Sequence, residues 1–197
     1  MSFLDQIKQR RSIYALGNNV TLAQNEIENI IKEAVRQSPS SFNSQTSRAV
    51  ILFDHSHVKF WTIVLETLQK IVPEAAFAGT KTKIDSFIAG KGTVLFYEDQ
   101  PTVKQLQEQF PLYADNFPVW SEHSTGIAQF AVWTALAEQG VGASLQHYNP
   151  IVDDEVADVF QVPKDWKLRA QLVFGSIEAP AAEKAYIDDS VRFKTFN

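Results

Sequence analysis

Behind Ser2, the apolar residues Phe3, Leu4 and Ile7 fall on one side of a helical period, which predicts a capped first helix ending at the basic pair Arg10-Arg11. After Thr21, Ile27, Ile30, Ile31 and Ala34 repeat the pattern between Glu26 and Arg36. Ser38-Pro39 stops this second helix, because a residue before proline is driven out of helical geometry. A polar loop from Pro39 to Ser47 follows. Arg48 to Phe53 and Gly92 to Tyr97 are short apolar runs rich in branched residues and bounded by turns, as buried strands require. Between them, His55 to Val72 and Glu74 to Ile88 read as helices parted at Pro73, and Gln100-Pro101 opens another reaching about Tyr113.

From Ser121 to Gln139 the period is helical but apolar on most sides. Ile127, Phe130, Val132, Trp133 and Leu136 alternate with Gly126 and several alanines. Such a helix must be covered almost all round, and its small residues admit close approach, so a subunit interface is the favoured setting. Phe117-Pro118-Val119-Trp120 reads as the connection before it, a place where loops commonly line pockets. Gly140-Val141-Gly142 ends the helix, Ala143 to Gln146 is a third strand, and Leu168 to Gly175 a fourth after a short helix from Asp153 to Phe160. The tail from Ser176 to Asn197 has little helical period. Without a strict βαβ repeat or a linker, the pattern predicts one α+β domain over residues 1–197, a mixed sheet flanked by helices.

Composition removes whole classes of function. The chain has no cysteine, which excludes thiolate nucleophiles, disulfides and thiolate metal sites, so redox chemistry needs a cofactor. A net charge of -5 supplies no global field toward phosphate backbones or anionic lipid, and neither nucleic acid nor membrane is an expected partner. The N-terminus shows no basic region leading into an apolar stretch, and no run reaches about 18 apolar residues, so a cytoplasmic address is expected.

Neither a phosphate-loop pattern nor Gly-x-Gly-x-x-Gly after a strand is present. A phosphate would therefore be held by discrete cations, for which Arg10, Arg11, Arg192 and Lys194 are candidates. Each pair has a plainer reading: Arg10-Arg11 as a solvated helix end, and Arg192 and Lys194, alternating with Val191 and Phe193, as an extended edge segment. His55-x-His57, with His123 and His147, invites a metal reading. Capping at a strand-to-helix junction suits the first two better, and no metal site is expected. Trp61, Trp133 and Trp166 are expected in the core, and Trp120 in a pocket.

Four segments taken together carry more. Phe3-x-x-x-Ile7-x-x-Arg10-Arg11-Ser12, then Pro39-Ser40-Ser41-Phe42-Asn43-Ser44-Gln45, then the Ala-rich helix leading into Gly142-Ala143-Ser144-Leu145-Gln146-His147-Tyr148-Asn149, then Arg192-x-Lys194, resemble the motifs of the FMN-dependent nitroreductase family in order and spacing. Arg-Arg-Ser-x-Tyr14, Ser-Ser-Phe-Asn-Ser-Gln and Ser-Leu-Gln-His-Tyr-Asn look most like the branch of fatty-acid-repression-mutant-like and copper-induced bacterial nitroreductases. The resemblance implies a homodimer with FMN at the interface and a tail reaching the partner. It implies ping-pong reduction of nitroaromatics, quinones or similar electrophiles by NADH or NADPH, in a stress response.

By that resemblance Arg10, Ser12, Arg192 and Lys194 hold the phosphate, and Ser40, Ser41, Asn43 and Gln45 of the other subunit meet the flavin. Leu145, Gln146 and His147 pass beside N5, His147 as a candidate proton donor, and Trp120 and Tyr148 line the acceptor pocket. One departure stands out: many relatives carry a cation at the position of Tyr14, so the group facing flavin N1 would have to be Arg11 or a lysine between Lys81 and Lys91. An alternative role with the same motifs is a flavin-binding regulator whose turnover is incidental.

Overall fold

The computed structural model describes residues 2–197; Met1, where the N-terminal stretch read above begins, lies outside the described residues. The elements run α1 Phe3–Gln9, β1 Leu16–Gly17, α2 Gln24–Gln37, β2 Ser47–Phe53, α3 Asp54–Ile71, α4 Glu74–Ile88 and β3 Gly92–Asp99. They continue with α5 Gln100–Gln109, α6 Phe117–Glu138, β4 Gly142–Gln146, α7 Asp153–Phe160, β5 Trp166–Ile177 and α8 Asp189–Arg192.

All eight residues of β3 are buried, which is why its sequence reads as a continuous apolar run and not as an alternation. The alternation survives in where the side chains go. Val94 and Phe96 join Ile27 and Ile31 of α2 and Val132 and Leu136 of α6 on one face. Leu95 and Tyr97 join Phe60, Trp61 and Val64 of α3 and Phe87 of α4 on the other. The sheet runs β1-β5-β3-β2, with β4 also on β5. Every named strand pair is antiparallel, so the mixed character expected of the sheet reduces to one parallel bridge, Ser12 with Ala143. A central sheet flanked by helices is the architecture, and among the described residues no helix is long and apolar enough to cross a membrane.

Four expectations need correction. Helix α6 starts at Phe117, because proline fits the first helical turn, where its missing N–H is not needed; Trp120 therefore sits on a helix and not in a connection. The helix after Gln100 stops at Gln109, and Pro111–Tyr113 forms a separate 3-10 turn. His55 and His57 lie inside α3, and His57 is buried, so neither caps the helix, whose N-cap is Phe53. Arg192 closes the one-turn helix α8 where an extended edge was an alternative. Of the tryptophans, Trp61 is wholly buried, while Trp133 and Trp166 are half-buried beneath Arg10 and Arg48.

Candidate active site

Ser2 accepts a hydrogen bond from the Asp5 N–H at 3.2 Å and donates its own N–H to the Asp5 carboxylate at 3.0 Å, fixing the start of α1. At the other end of α1 the chain turns at Arg10 and runs beside β4, where the Ile13 N–H donates to the Ala143 carbonyl at 2.9 Å. This docking of the first motif against the third builds a concavity of about 340 Å³ lined by Arg10, Arg11, Ser12, Tyr14, Ala182 and Lys184. Three cations line it and no carboxylate does.

The Arg10 guanidinium lies 4.4 Å from the centre of the Trp133 ring. Two buried donors there, Arg10 Nε and Trp133 Nε1, have no acceptor among the described residues. Burial, and then the neighbouring charge of Arg11, pull Arg10 below its ordinary pKa. The concavity is thus a positive site with no counter-charge among its own lining residues. Arg11 also donates to the Ala182 carbonyl, which ties the exposed tail to this edge and brings Lys184 in. Lys184 lines the concavity although sequence reasoning did not single it out, since only the folded path of the tail places it there.

Of the cations weighed as substitutes at the Tyr14 position, Arg11 shares the concavity. Lys81 instead pairs with Asp85, Lys83 lies over Phe87, and Lys91 faces Asp54 at 3.9 Å. Arg192 and Lys194 are exposed on the tail and do not line the concavity of their own chain.

The second motif lies elsewhere. Ser40 and Gln45 line a separate polar pocket of about 200 Å³ with Ser47, Arg48 and Ser124. Phe42, Asn43 and Gln45 all have positive φ (58°, 49° and 48°), a conformation costing roughly 1–3 kcal/mol for each such side chain. The loop is held against that strain. Ser40 accepts from the Asn43 N–H through its carbonyl at 3.0 Å and from the Gln45 N–H through its hydroxyl at 2.9 Å. Arg48 donates to the Gln45 carbonyl and to Asp99.

At the end of β4, Gln146 is buried and donates to the Ser144 hydroxyl at 3.2 Å, whereas His147 is exposed. The Tyr148 N–H donates to Gln171 Oε1 at 2.7 Å and is therefore already engaged. The Tyr148 ring packs 5.7 Å from Trp61 and 6.5 Å from Phe87, turned toward the core, and burial pushes its hydroxyl up in pKa. Trp120 stacks near Phe42, 6.1 Å between centroids.

Across from Ser47, at the end of β3, lies a buried carboxyl that the sequence did not single out. Ser47 donates to Glu98 Oε1 at 2.6 Å, while Oε2 is buried without a partner among the described residues. Burial above all, with a contribution from Glu122, raises its pKa from 4.5 against the pull of Ser47, Thr46 and Thr125. A carboxyl with a raised folded-state pKa stabilises the fold in acid and loses that contribution as pH rises through the folded value. Glu98→Gln, neutral at every pH, should therefore be more stable than wild type at pH 8, with the difference shrinking toward pH 4.5. Urea denaturation at the two pH values measures this; a pH-independent difference would contradict the assignment.

The sequence pattern of the nitroreductase family matches residues 7–176. The chain belongs to the nitroreductase family. Membership makes it an oxidoreductase, and the match runs from the helix before Arg10 through the end of β5. Nitroreductase FRM2 of Saccharomyces cerevisiae is 32% identical over 192 residues, 96% of this chain and 95% of that protein. Nitroreductase CinD from Lactococcus lactis, solved in complex with 4-nitrophenol, is 53% identical over 100% of both chains, with a TM-score of 0.91. These two relatives bear out the branch expected from Arg-Arg-Ser-x-Tyr14. A family structure in complex with FMN from Exiguobacterium sibiricum, 14% identical over 100% of this chain and 98% of that one, has a TM-score of 0.71 and shares the fold.

Proposed function

We propose that two copies of this nitroreductase-family chain bind FMN between them in the cytoplasm and use NADH or NADPH to reduce nitroaromatics, quinones or similar electrophiles by a ping-pong mechanism. The observation that carries the reading is the concavity at the first motif, lined by three cations and no carboxylate, with Arg10 Nε buried and unpaired among the described residues. Its donor set fits a phosphate. Arg10, Arg11 and Lys184 would neutralise the FMN phosphate, and Ser12 would add a hydroxyl donor.

Ser40 and Gln45 line a different pocket from Arg10, so with Ser41 and Asn43 beside them in the same loop one chain would supply half of the polar set and a second copy the rest. An apolar concavity of about 490 Å³ between α1, α2 and α6, with exposed Ile127 and Phe130 at its wall, supports such pairing. Arg192 and Lys194, free of their own chain's concavity, would reach the partner's. Bound FMN supplies a two-electron carrier between nicotinamide and acceptor. Leu145 and Gln146 would orient it from β4, and exposed His147 would return a proton to the acceptor. Trp120, beside Phe42, would flank the acceptor. The 4-nitrophenol complex of CinD supports the nitroaromatic class.

The decisive experiment is a visible spectrum of the species eluting at twice the 22.2 kDa chain mass. A bound-flavin spectrum that bleaches on anaerobic addition of NADH or NADPH is expected. A protein that stays colourless with excess FMN would end this reading.

A further inference from the structure

The second motif contains a residue for which the proposed site has no role. Phe42 stands between Ser41 and Asn43, in left-handed backbone, at a position where glycine would be the low-strain choice. It is 53% exposed, so core burial does not account for a bulky ring there. Its ring instead meets four others: Phe110 at 4.9 Å, Phe117 at 5.4 Å, Trp120 at 6.1 Å in a stacked arrangement and Tyr113 at 6.2 Å.

These partners come from the end of α5, the 3-10 turn and the first turn of α6, so two helices converge on one loop residue. Phe117 and Trp120 are three apart on α6 and present one face to it. At the other end of the loop, Arg48 grips the Gln45 carbonyl while anchored on Asp99 and lying 5.6 Å from the centre of the Trp166 ring. The strained segment is thus fixed at both ends by contacts outside itself. Strain persists where surroundings over-determine it, and such segments present groups to a ligand.

We propose that Phe42 is a positioning residue: seated among Phe110, Phe117 and Trp120, it holds Ser41 and Asn43 in the conformation that meets the flavin. The proposal rests on the FMN reading above for its ligand, but its geometry does not. Phe42 would act through its neighbours, Ser41 and Asn43, and not by contact with the flavin. Loss of the ring releases the loop, and the ordering of Ser41 and Asn43 then has to be supplied at the moment of binding.

The experiment compares wild type, Phe42→Ala and Phe42→Tyr as full-length protein, with and without FMN. In Phe42→Ala the amides of Asn43, Ser44 and Gln45 should exchange about tenfold faster without FMN, while the Tm moves by less than about 3 °C. The FMN dissociation constant should rise about tenfold, and Phe42→Tyr should restore both. Unchanged exchange overturns the proposal, as does a large fall in Tm with the loop amides unaltered, which would make the ring a filler between helices. Faster exchange in a protein whose wild type binds no FMN would sustain the anchor and overturn the flavin assignment, so the two failures are distinguishable.

Discussion

Arg10→Ala should weaken FMN binding by about tenfold to a hundredfold, the loss of roughly 1.5–3 kcal/mol that follows removal of a charged hydrogen-bond partner. The effect should be larger than for other cations of the concavity because Arg10 is the one already desolvated, with its plane fixed over Trp133 and its Nε unsatisfied. A donor that has lost water before the ligand arrives gains more on meeting an anion than one that must be stripped at binding. Arg10→Lys should fall between, since an ammonium keeps the charge but neither stacks as a plane nor offers a fork. Fluorescence titration of cofactor-free protein with FMN reads all three. Equal affinity in wild type and Arg10→Ala would remove this concavity from the phosphate site. The same titration on Arg192→Ala reports on the tail, where a tenfold loss would support its reach into the partner.

How far the sequence could be read depends on how local each cause is. The helices on either side of Pro73 and the buried strands were legible because period, proline and β-branched runs act within a few residues. Strand β1 was not, since Leu16 and Gly17 are too few to carry a period and pair with Ile177 and Ser176 at the far end of the chain. The first turn of α6 was misread because Phe-Pro-Val-Trp resembles a loop until its packing against Phe42 is known. His57 was misread for a related reason: its partners, Thr93 and Ile88, belong to β3 and the end of α4.

The same division runs through the candidate site. Arg10, Arg11 and Ser12 could be named from a contiguous motif, and the structure brings them together with Tyr14 in one concavity. Lys184 carries no motif and enters through a backbone contact of Arg11 with Ala182. Glu98 reads as the polar end of a strand, and only the cover of α6 and Ser47 makes it a buried acid.

Thr93→Val should destabilise the protein by about 2–6 kcal/mol, the cost of leaving two buried polar groups without partners at roughly 1–3 kcal/mol each. The Thr93 hydroxyl lies 2.9 Å from both Trp61 Nε1 and His57 Nδ1. Trp61 can only donate, so it donates to the hydroxyl oxygen. The Ile88 carbonyl, 3.2 Å from His57 Nε2, can only accept, so Nε2 carries the imidazole proton and Nδ1 accepts from the hydroxyl. One hydroxyl thus serves both rings, and valine, of the same shape, serves neither. Protonating His57 breaks the arrangement as well, because Nδ1–H would meet a hydroxyl with its own proton to place. Burial, the largest cause, holds His57 below its ordinary 6.5, against weaker pulls from the Ile88 and Phe87 carbonyls and Asp54. The unfolded chain therefore takes up the proton first on acidification, and this contribution to stability falls as pH drops below about 6.5 toward the folded value. Thr93→Ser keeps the hydroxyl and should retain most of the stability and the pH slope. Urea denaturation at pH 7.5 and 5.5 separates the cases: a Thr93→Val protein as stable as Thr93→Ser would show that the hydroxyl does not join α3 to the sheet.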